Sequence, residues 1–290
     1  MPGESAPTRI VRRNIQFDFQ STLPVNWHSG EPGITAFYDA LSMTFPEGER
    51  FFIASVRNFA NRIHDKDLKR DVLGFAAQEA VHSREHAAYN ALMTSRGVPV
   101  DKFERIMSKG SQFVQRHLPE KALLAATCAY EHYTALFAEQ LLGDDRALEG
   151  AHPFYRDLWR WHAMEEEEHK AVAFDVYRAV ATDPLRYLRR VIAMAVVSLD
   201  FTITTAVLIL WLMIKRGHAL DFSAWGRLVR YLWVAPGIWR HVTLGVFSYM
   251  SPRFHPWKRH VSPRVMAWRD HYRAITRSAP GAASIFNFPA

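Results

Sequence analysis

The spacing Glu-x-x-His occurs twice in the 290-residue sequence and is its clearest indication of chemistry. The two pairs are Glu79 with His82 and Glu166 with His169, each inside a segment with helical character. Residues three apart in a helix lie on one face about one turn apart, so a carboxylate and an imidazole at this spacing can reach the same metal ion. Two such pairs provide half of a dinuclear carboxylate site.

The other half of a dinuclear site requires one Glu from each of two further helices. Glu49 opens the amphipathic run ERFFIASVRNFANRI, and Glu131 lies centrally in the apolar run KALLAATCAYEHYTALFAEQLL. A carboxylate on an apolar face is costly to bury unless it is paired or coordinated. The predicted metal ligands are Glu49, Glu79, His82, Glu131, Glu166 and His169.

Four nearby side chains are candidates for additional ligands or for positioning the ligands. His86 and His162 each lie four residues from a Glu-x-x-His pair, one turn further along the same helix face. Glu85 is a candidate acceptor for a histidine N–H, and His132 follows directly after a predicted ligand. The competing interpretation of His86 and His162 is a capping or core histidine bonded to the backbone.

The second pair lies in a run of four acids, from Glu165 to Glu168. Helical geometry predicts that at least two of these side chains face solvent. Glu166 is assigned the ligand role because it alone lies three residues before His169.

Several longer strings carry a resemblance to a known family: RNIQFDF, FPEGERFF, QEAVHSREH, YEHYTA and WHAMEEEEHKAVAFDVY. The sequence resembles the bacterial family of predicted metal-dependent hydrolases, itself similar to ferritin-like proteins, from about Arg13 to the C-terminal third. The resemblance implies that the six predicted ligands bind metal, with His86 and His162 as nearby family positions. The family name implies hydrolysis, whereas the ligand pattern is that of oxygen-activating di-iron proteins.

Helical periodicity predicts an all-α fold. The pattern of predicted ligands indicates a ferritin-like four-helix bundle, with additional C-terminal apolar helices. The predicted helices cover 34–43, 47–64, 66–96, 99–116, 119–142, 152–181, 186–216 and 221–249, with breaks at proline- or glycine-containing positions. The predicted domains are an N-terminal arm over 1–33, a dinuclear-metal bundle over 34–183, C-terminal helices over 184–278 and a flexible tail over 279–290. The C-terminal helices are expected to pack on the bundle, on a dimer partner or on a membrane.

Composition limits the alternatives. With 49% hydrophobic residues, the chain can bury a large core. Cys128 is the single cysteine, which excludes intramolecular disulfides and thiolate clusters, and it is expected to be a small core residue. The N-terminal residues lack the apolar region of a signal peptide, so we expect a cytoplasmic protein, with attachment to the cytoplasmic face of a membrane as an alternative.

Residues 191–214 form 24 nearly uncharged positions. As a helix this segment would be about 36 Å long, enough to cross a bilayer. Asp200 argues against a span, because a carboxylate near the bilayer centre needs a partner. The alternatives are a helix buried along the bundle and an apolar surface helix used for dimerisation.

Charge is divided unevenly along the chain. From residue 186 onward there are 15 Lys and Arg against 3 Asp and Glu, a net charge of +12, so the preceding residues carry −5 of the total +7. Because aromatic residues are interleaved with the basic ones, this region suits an anionic lipid surface. A nucleic-acid partner is not expected.

Oxygen-rich ligation with two imidazoles favours two iron ions, with manganese or zinc as alternatives. The predicted function is an oxidoreductase that activates O2 to oxidise an apolar or amphipathic small molecule, which would need an electron donor. The alternative is a metal-dependent hydrolase that uses a metal-bound hydroxide. A third hypothesis is a non-enzymatic metal-binding or membrane-interaction protein.

Overall fold

In the computed structural model the described residues, 10–259 and 262–278, form an all-α fold whose only β pairing is an isolated bridge between His28 and Ala151. The α-helices are α1 Pro32–Arg57, α2 Lys66–Ser95, α3 Val100–His117, α4 Glu120–Gly143, α5 Pro153–His169, α6 Val172–Val180, α7 Arg186–Lys215, α8 Phe222–Trp233, α9 Ile238–Tyr249 and α10 Pro263–Ser278. The predicted tail over 279–290 and the first nine residues of the predicted arm lie outside the described residues.

Four helices, α1, α2, α4 and α5, carry the six predicted ligands and surround them. Helix α1 packs against α2 and α4, and α5 packs against the same two helices from the other side. Large apolar side chains such as Phe37, Phe75 and Trp161 are fully buried between them. Helix α7 covers α1 and α4, while α8 packs on α1, α9 on α4, and α10 on α4 and α5.

The first helix is continuous through Pro46, so the predicted break at this residue is wrong. Proline lacks the N–H that would bond to the carbonyl oxygen of Ser42. The side-chain amide of Asn90 on α2 donates to that oxygen at 3.2 Å instead. This replacement keeps the helix intact, and Glu49 lies one turn beyond it.

The predicted helix over 152–181 is interrupted, because α5 ends at His169 and α6 begins at Val172. Neither glycine nor proline lies at this break, so no local signal indicates it. The side chain of Lys170, the first residue after α5, turns back to pair with Glu167 at 2.8 Å. The second Glu-x-x-His pair therefore forms the last turn of a helix.

Two further boundaries differ from the prediction. The predicted helix over 221–249 is divided into α8 and α9 at Pro236 and Gly237, where Gly237 has a left-handed φ of 77° that favours glycine. Helix α10 was not predicted, and it buries Val265 and Tyr272 against the rest of the protein.

The described part of the N-terminal arm packs on the helices. Ile15 is buried, and the side chain of Arg84 on α2 donates to the backbone oxygen of Ile15 and to Asn14. The backbone N–H of Phe17 donates to Glu85 at 2.8 Å. These contacts hold the arm against α2, and Arg13 next to them pairs with Glu165 and Glu168 of α5.

Helix α7 has one buried face and one bare face. Its buried face includes Met194, Phe201 and Leu212. Its exposed face carries a continuous apolar stripe of Ile192, Val196, Leu199, Ile203, Val207, Leu210 and Ile214. By length and composition this helix could cross a membrane, with a mean hydropathy of 2.1, although a third of that window is buried in the protein. Asp200 is exposed and accepts a hydrogen bond from Tyr130 at 2.7 Å.

Candidate metal centre

The structure brings the six predicted ligands close to one another, and His162 lies among them. Within the described residues, two groups offer ligand atoms that lie within 4.8 Å of one another. The first group is Glu49, His82 and His162, and the second is Glu79, Glu131, Glu166 and His169. The side chains of both groups are buried. Their role as ligands stays a prediction, but the geometry provides a place for two ions.

Glu166 faces both groups. Its Oε1 lies 3.0 Å from His162 Nε2 and 3.5 Å from His82 Nδ1, and its Oε2 lies 3.3 Å from His169 Nε2. A carboxylate in this position can bridge two metal ions. The contact with His162 follows from a four-residue spacing along α5, and the contact with His169 from a three-residue spacing.

Unpartnered buried atoms show that the site fits a cation. Both carboxylate oxygens of Glu49, Glu79 and Glu131 are buried without a hydrogen-bond partner. Glu166 Oε2, His82 Nδ1 and His169 Nε2 likewise make no hydrogen bond of good geometry, although His169 Nε2 lies 3.0 Å from Glu79 Oε1 and 3.3 Å from Glu166 Oε2. All six predicted ligands therefore contribute such atoms. Buried polar atoms are normally satisfied, and buried carboxylates in particular need a cation or donors. Metal ions between the two groups would satisfy these atoms.

The outer nitrogens of the two predicted ligand histidines are held by hydrogen bonds. His82 donates from Nε2 to Glu165 at 3.0 Å, and His169 donates from Nδ1 to Gln78 Oε1 at 3.0 Å. Each histidine therefore turns its other nitrogen, His82 Nδ1 or His169 Nε2, toward the carboxylates. This arrangement, in which an outer acceptor fixes the tautomer, is typical of metal-binding histidines.

The two outer acceptors are joined through Arg13 from the N-terminal arm. Arg13 pairs with Glu165 at 3.0 Å and with both oxygens of Glu168 at 2.7 and 2.8 Å. Gln78 closes the ring by donating to Glu168 at 2.9 Å. We call this series of hydrogen-bonded side chains the outer ring. It runs from His82 through Glu165, Arg13, Glu168 and Gln78 to His169.

The outer ring overturns the prediction that at least two acids of the 165–168 run face solvent. All four side chains are buried. Arg13 forms ion pairs with Glu165 and Glu168, and Lys170 forms one with Glu167. Sequence reasoning missed Arg13, Gln78, Glu165 and Glu168 as positioning residues, although all four lie in strings that carry the resemblance: RNIQFDF, QEAVHSREH and WHAMEEEEHKAVAFDVY.

The protonation of the metal-free centre follows from burial and crowding. Burial raises the pKa of Glu49 and Glu131 well above the usual range, and repulsion from Glu79 adds to this. Burial opposes the charged form of His169, but Glu166 and Glu79 outweigh it and hold the pKa of His169 well above its usual value. Protons therefore occupy the centre where metal ions would bind, and metal binding would displace them.

His162 has a hydrogen-bonded path leading away from the centre. The Ser42 hydroxyl donates its proton to Asn90, so it accepts a hydrogen bond from His86 Nδ1 at 2.9 Å. Because the proton of the neutral His86 ring is then on Nδ1, His86 Nε2 accepts from His162 Nδ1 at 2.8 Å. His162 Nε2 is then left as an acceptor facing Glu166, a placement that suits a metal ligand. Burial and the nearby His82 lower the pKa of His162 to about 4, which keeps its ring neutral near pH 7.

The remaining candidates lie elsewhere. Glu85 accepts from Phe17 N–H and Arg84, so it anchors the arm rather than a ligand histidine. His132 approaches the backbone oxygen of Gly245 at 3.2 Å and packs on α9, away from the two groups. His86 lies next to His162, as described, and is one residue removed from the carboxylates.

A small apolar cavity borders the centre. Its volume is about 30 Å³, enough for a molecule the size of water. Glu166 and His162 form its wall on the side of the predicted ligands, and Phe37, Phe45 and Trp159 are among its apolar walls.

Comparison with known proteins adds an independent finding. A family model described as predicted metal-dependent hydrolase matches residues 11–260. The chain belongs to this family. Neither the curated proteins nor the solved structures contained a match. The range matched by the family model includes Arg13 and both ligand groups. The two buried groups agree with the metal dependence in the family's description.

Proposed function

We propose that the protein is a metal-dependent hydrolase whose two metal ions are held by the two ligand groups. The observation that carries the proposal is the convergence of unpartnered buried ligand atoms from four helices. Glu49, His82 and His162 would hold one ion, Glu79, Glu131 and His169 the other, with Glu166 between them. The family description supports hydrolysis as the reaction class.

The bound ions would activate a water molecule and polarise the substrate's carbonyl or phosphoryl oxygen. The protein's own contribution is to fix the ligands and to exclude bulk water. The outer ring holds His82 and His169 in the tautomers that present a free nitrogen.

Metal analysis tests the centre itself. Protein purified without chelators is expected to carry about two transition-metal ions per chain, and His169→Ala and Glu131→Gln are expected to lose most of them. His117→Ala is the matched control, since His117 is exposed on α3 and belongs to neither ligand group. Elemental analysis that found no metal in the wild type, after reconstitution with iron, manganese and zinc in turn, would refute the proposal.

An O2-dependent oxidoreductase is the second candidate. Its ligand pattern, one Glu from each of two helices and a Glu-x-x-His pair from each of two others, is that of ferritin-like di-iron and di-manganese proteins. The small apolar cavity beside Glu166 also suits O2 better than an ester or amide. Iron and an external electron donor would then be required.

Oxygen dependence separates the two candidates. A hydrolase is expected to cleave a panel of ester, amide and phosphoester substrates without O2 and to place oxygen from labelled water in the product. An oxidoreductase is expected to consume O2 when the iron-loaded protein is reduced. Substrate-independent O2 consumption by the iron form, with no hydrolysis by the zinc or manganese form, would replace the first candidate with the second.

A further inference from the structure

A separate cleft lies where α7 ends, and it shares no residue with the candidate metal centre. Its volume is about 250 Å³. Its lining combines the cationic side chains of Lys215 and Arg216 at the end of α7, and of Arg96 just after α2, with three aromatic side chains, Trp27, Tyr89 and Tyr155. We call it the α7-end cleft.

Arg216 is the main feature of the α7-end cleft. Its side chain is only 10% exposed, and one terminal nitrogen, NH2, donates to Asp39. The Nε and NH1 groups are buried without a hydrogen-bond partner. Buried guanidinium N–H groups are normally satisfied, so these two donors indicate an acceptor that the described side chains do not supply.

The charges around the cleft favour an anion. Arg96, Lys215 and Arg216 line it, and Asp39 is the one carboxylate among its lining residues in the described part of the chain. Asp39 already accepts from Trp27 Nε1 at 3.2 Å and from the hydroxyl of Tyr89. Three cations against one anion leave an excess of positive charge.

We propose that the α7-end cleft binds a phosphate group. A phosphate monoester carries about −1.5 to −2 charges near pH 7 and offers three acceptor oxygens. This charge matches the excess of the cleft, and the oxygens match the free donors of Arg216. Lys215 is exposed at the rim and has no ion pair among the described residues, so it is free to add a second contact.

Two sources of phosphate fit this position. The apolar stripe of α7 ends at Ile214, directly before Lys215, and Leu220 and Phe222 beyond the cleft are strongly exposed. An anionic phospholipid headgroup could therefore occupy the cleft. A free phosphate monoester with an aromatic or aliphatic body would use the same charges and the aromatic wall.

Calorimetric titration of the full-length protein with inorganic phosphate, in a phosphate-free buffer, tests the proposal. The wild type is expected to show saturable binding, and Arg216→Gln and Lys215→Gln are each expected to bind at least about tenfold more weakly. Lys109→Gln on α3 is the control, since it removes the same charge from an exposed helix outside the cleft. Lys215→Gln leaves the pair between Arg216 and Asp39 in place, so its loss of binding cannot be attributed to misfolding around a buried charge.

Vesicles distinguish the two sources. Phosphatidylcholine vesicles with and without phosphatidic acid are mixed with each variant and sedimented, in the presence and absence of inorganic phosphate. Binding that needs phosphatidic acid, weakens in Lys215→Gln and is displaced by phosphate identifies a headgroup. Binding of inorganic phosphate without such vesicle binding identifies a free phosphate compound. Failure of the wild type to bind inorganic phosphate, or equal binding by Lys109→Gln, Lys215→Gln and Arg216→Gln, would overturn the proposal, and neither result depends on the metal centre.

Discussion

Arg13 links the hydrogen bonds that hold the two predicted ligand histidines, since it pairs with Glu165, which holds His82, and with Glu168, which binds Gln78 beside His169. The N-terminal arm brings Arg13 to both glutamates across more than 150 positions of sequence. Its guanidinium also lies 4.5 Å from the centre of the Tyr272 ring on α10. The candidate centre is therefore completed by residues from near both ends of the described chain.

Replacing Arg13 is expected to weaken metal binding without touching a ligand. Arg13→Met removes the ion pairs that Arg13 makes with Glu165 and Glu168, so the acceptors of His82 and Gln78 are held less firmly. Changes to such outer partners typically cost about 10- to 100-fold in metal affinity. The dissociation constant is measured by competition with a chelator, with Mn²⁺ as the probe.

Arg13→Lys is the matched control for this prediction. It keeps one positive charge but loses the two-pronged contact with Glu168, so an affinity between those of the wild type and Arg13→Met is expected. The electron paramagnetic resonance spectrum of bound Mn²⁺ should change in the same order. Unchanged affinity and spectrum in Arg13→Met would show that the ring is structural only.

The two Glu-x-x-His pairs could be recognised in the sequence as candidate ligands because their pattern is local. A Glu-x-x-His spacing fixes the relative placement of two side chains whatever the rest of the fold does. The outer ring could not be predicted in this way, since Arg13 and Glu168 are brought together only by tertiary packing. His162 is intermediate: its four-residue spacing from Glu166 was visible, but its tautomer depends on His86 and Ser42.

Among the elements, α1 shows how a side chain can compensate for a helix-breaking residue. Asn90 supplies the donor that Pro46 lacks. Asn90→Ala is expected to destabilise the protein by about 1–3 kcal/mol, because the Ser42 oxygen is left buried and unsatisfied. The free energy of unfolding in urea measures this cost.

The double variant Pro46→Ala with Asn90→Ala tests that explanation. Alanine at position 46 restores a backbone N–H for the Ser42 oxygen, so the cost of Asn90→Ala is expected to fall by about 1 kcal/mol in this background. Asn90 also contacts Glu104, so part of its cost should remain. Strictly additive effects would show that the carbonyl contact does not hold the helix together.

Proline and glycine mark some helix boundaries of this protein and not others. Pro236 and Gly237 divide α8 from α9, although the apolar pattern predicted a single helix. Pro46 had the opposite outcome, since a partner helix satisfies the free oxygen. Between α5 and α6 the chain turns without either residue, and the sequence holds no local signal for that turn. The helical class could be read from periodicity, whereas these boundaries depend on contacts between helices.

At the scale of the whole molecule, the bare stripe of α7 needs a covering surface. Exposed apolar areas of this extent mark interaction sites, and the basic residues at both ends of α7 favour an anionic lipid surface. Full-length protein is expected to sediment with anionic vesicles, and the double variant Leu199→Glu with Ile203→Glu is expected to remain in the supernatant. Vesicle sedimentation measures both.

A matched control comes from α3. Ile106→Glu with Phe113→Glu adds the same charges at exposed apolar positions of another helix and should leave vesicle binding unchanged. If the wild type stays in solution as a dimer and the α7 variant becomes a monomer in analytical ultracentrifugation, a second copy covers the stripe and the lipid prediction is wrong.

The order of the chain separates two events during synthesis. Every predicted ligand, and Arg13 as well, precedes α7, which begins at Arg186. Since the N-terminal part of a growing chain leaves the ribosome first, the whole ligand set emerges before the apolar helix does. Until α7 arrives, the surfaces of α1 and α4 that it covers are bare. If these residues bind metal as proposed, a nascent chain can acquire its ions while α7 is still being made.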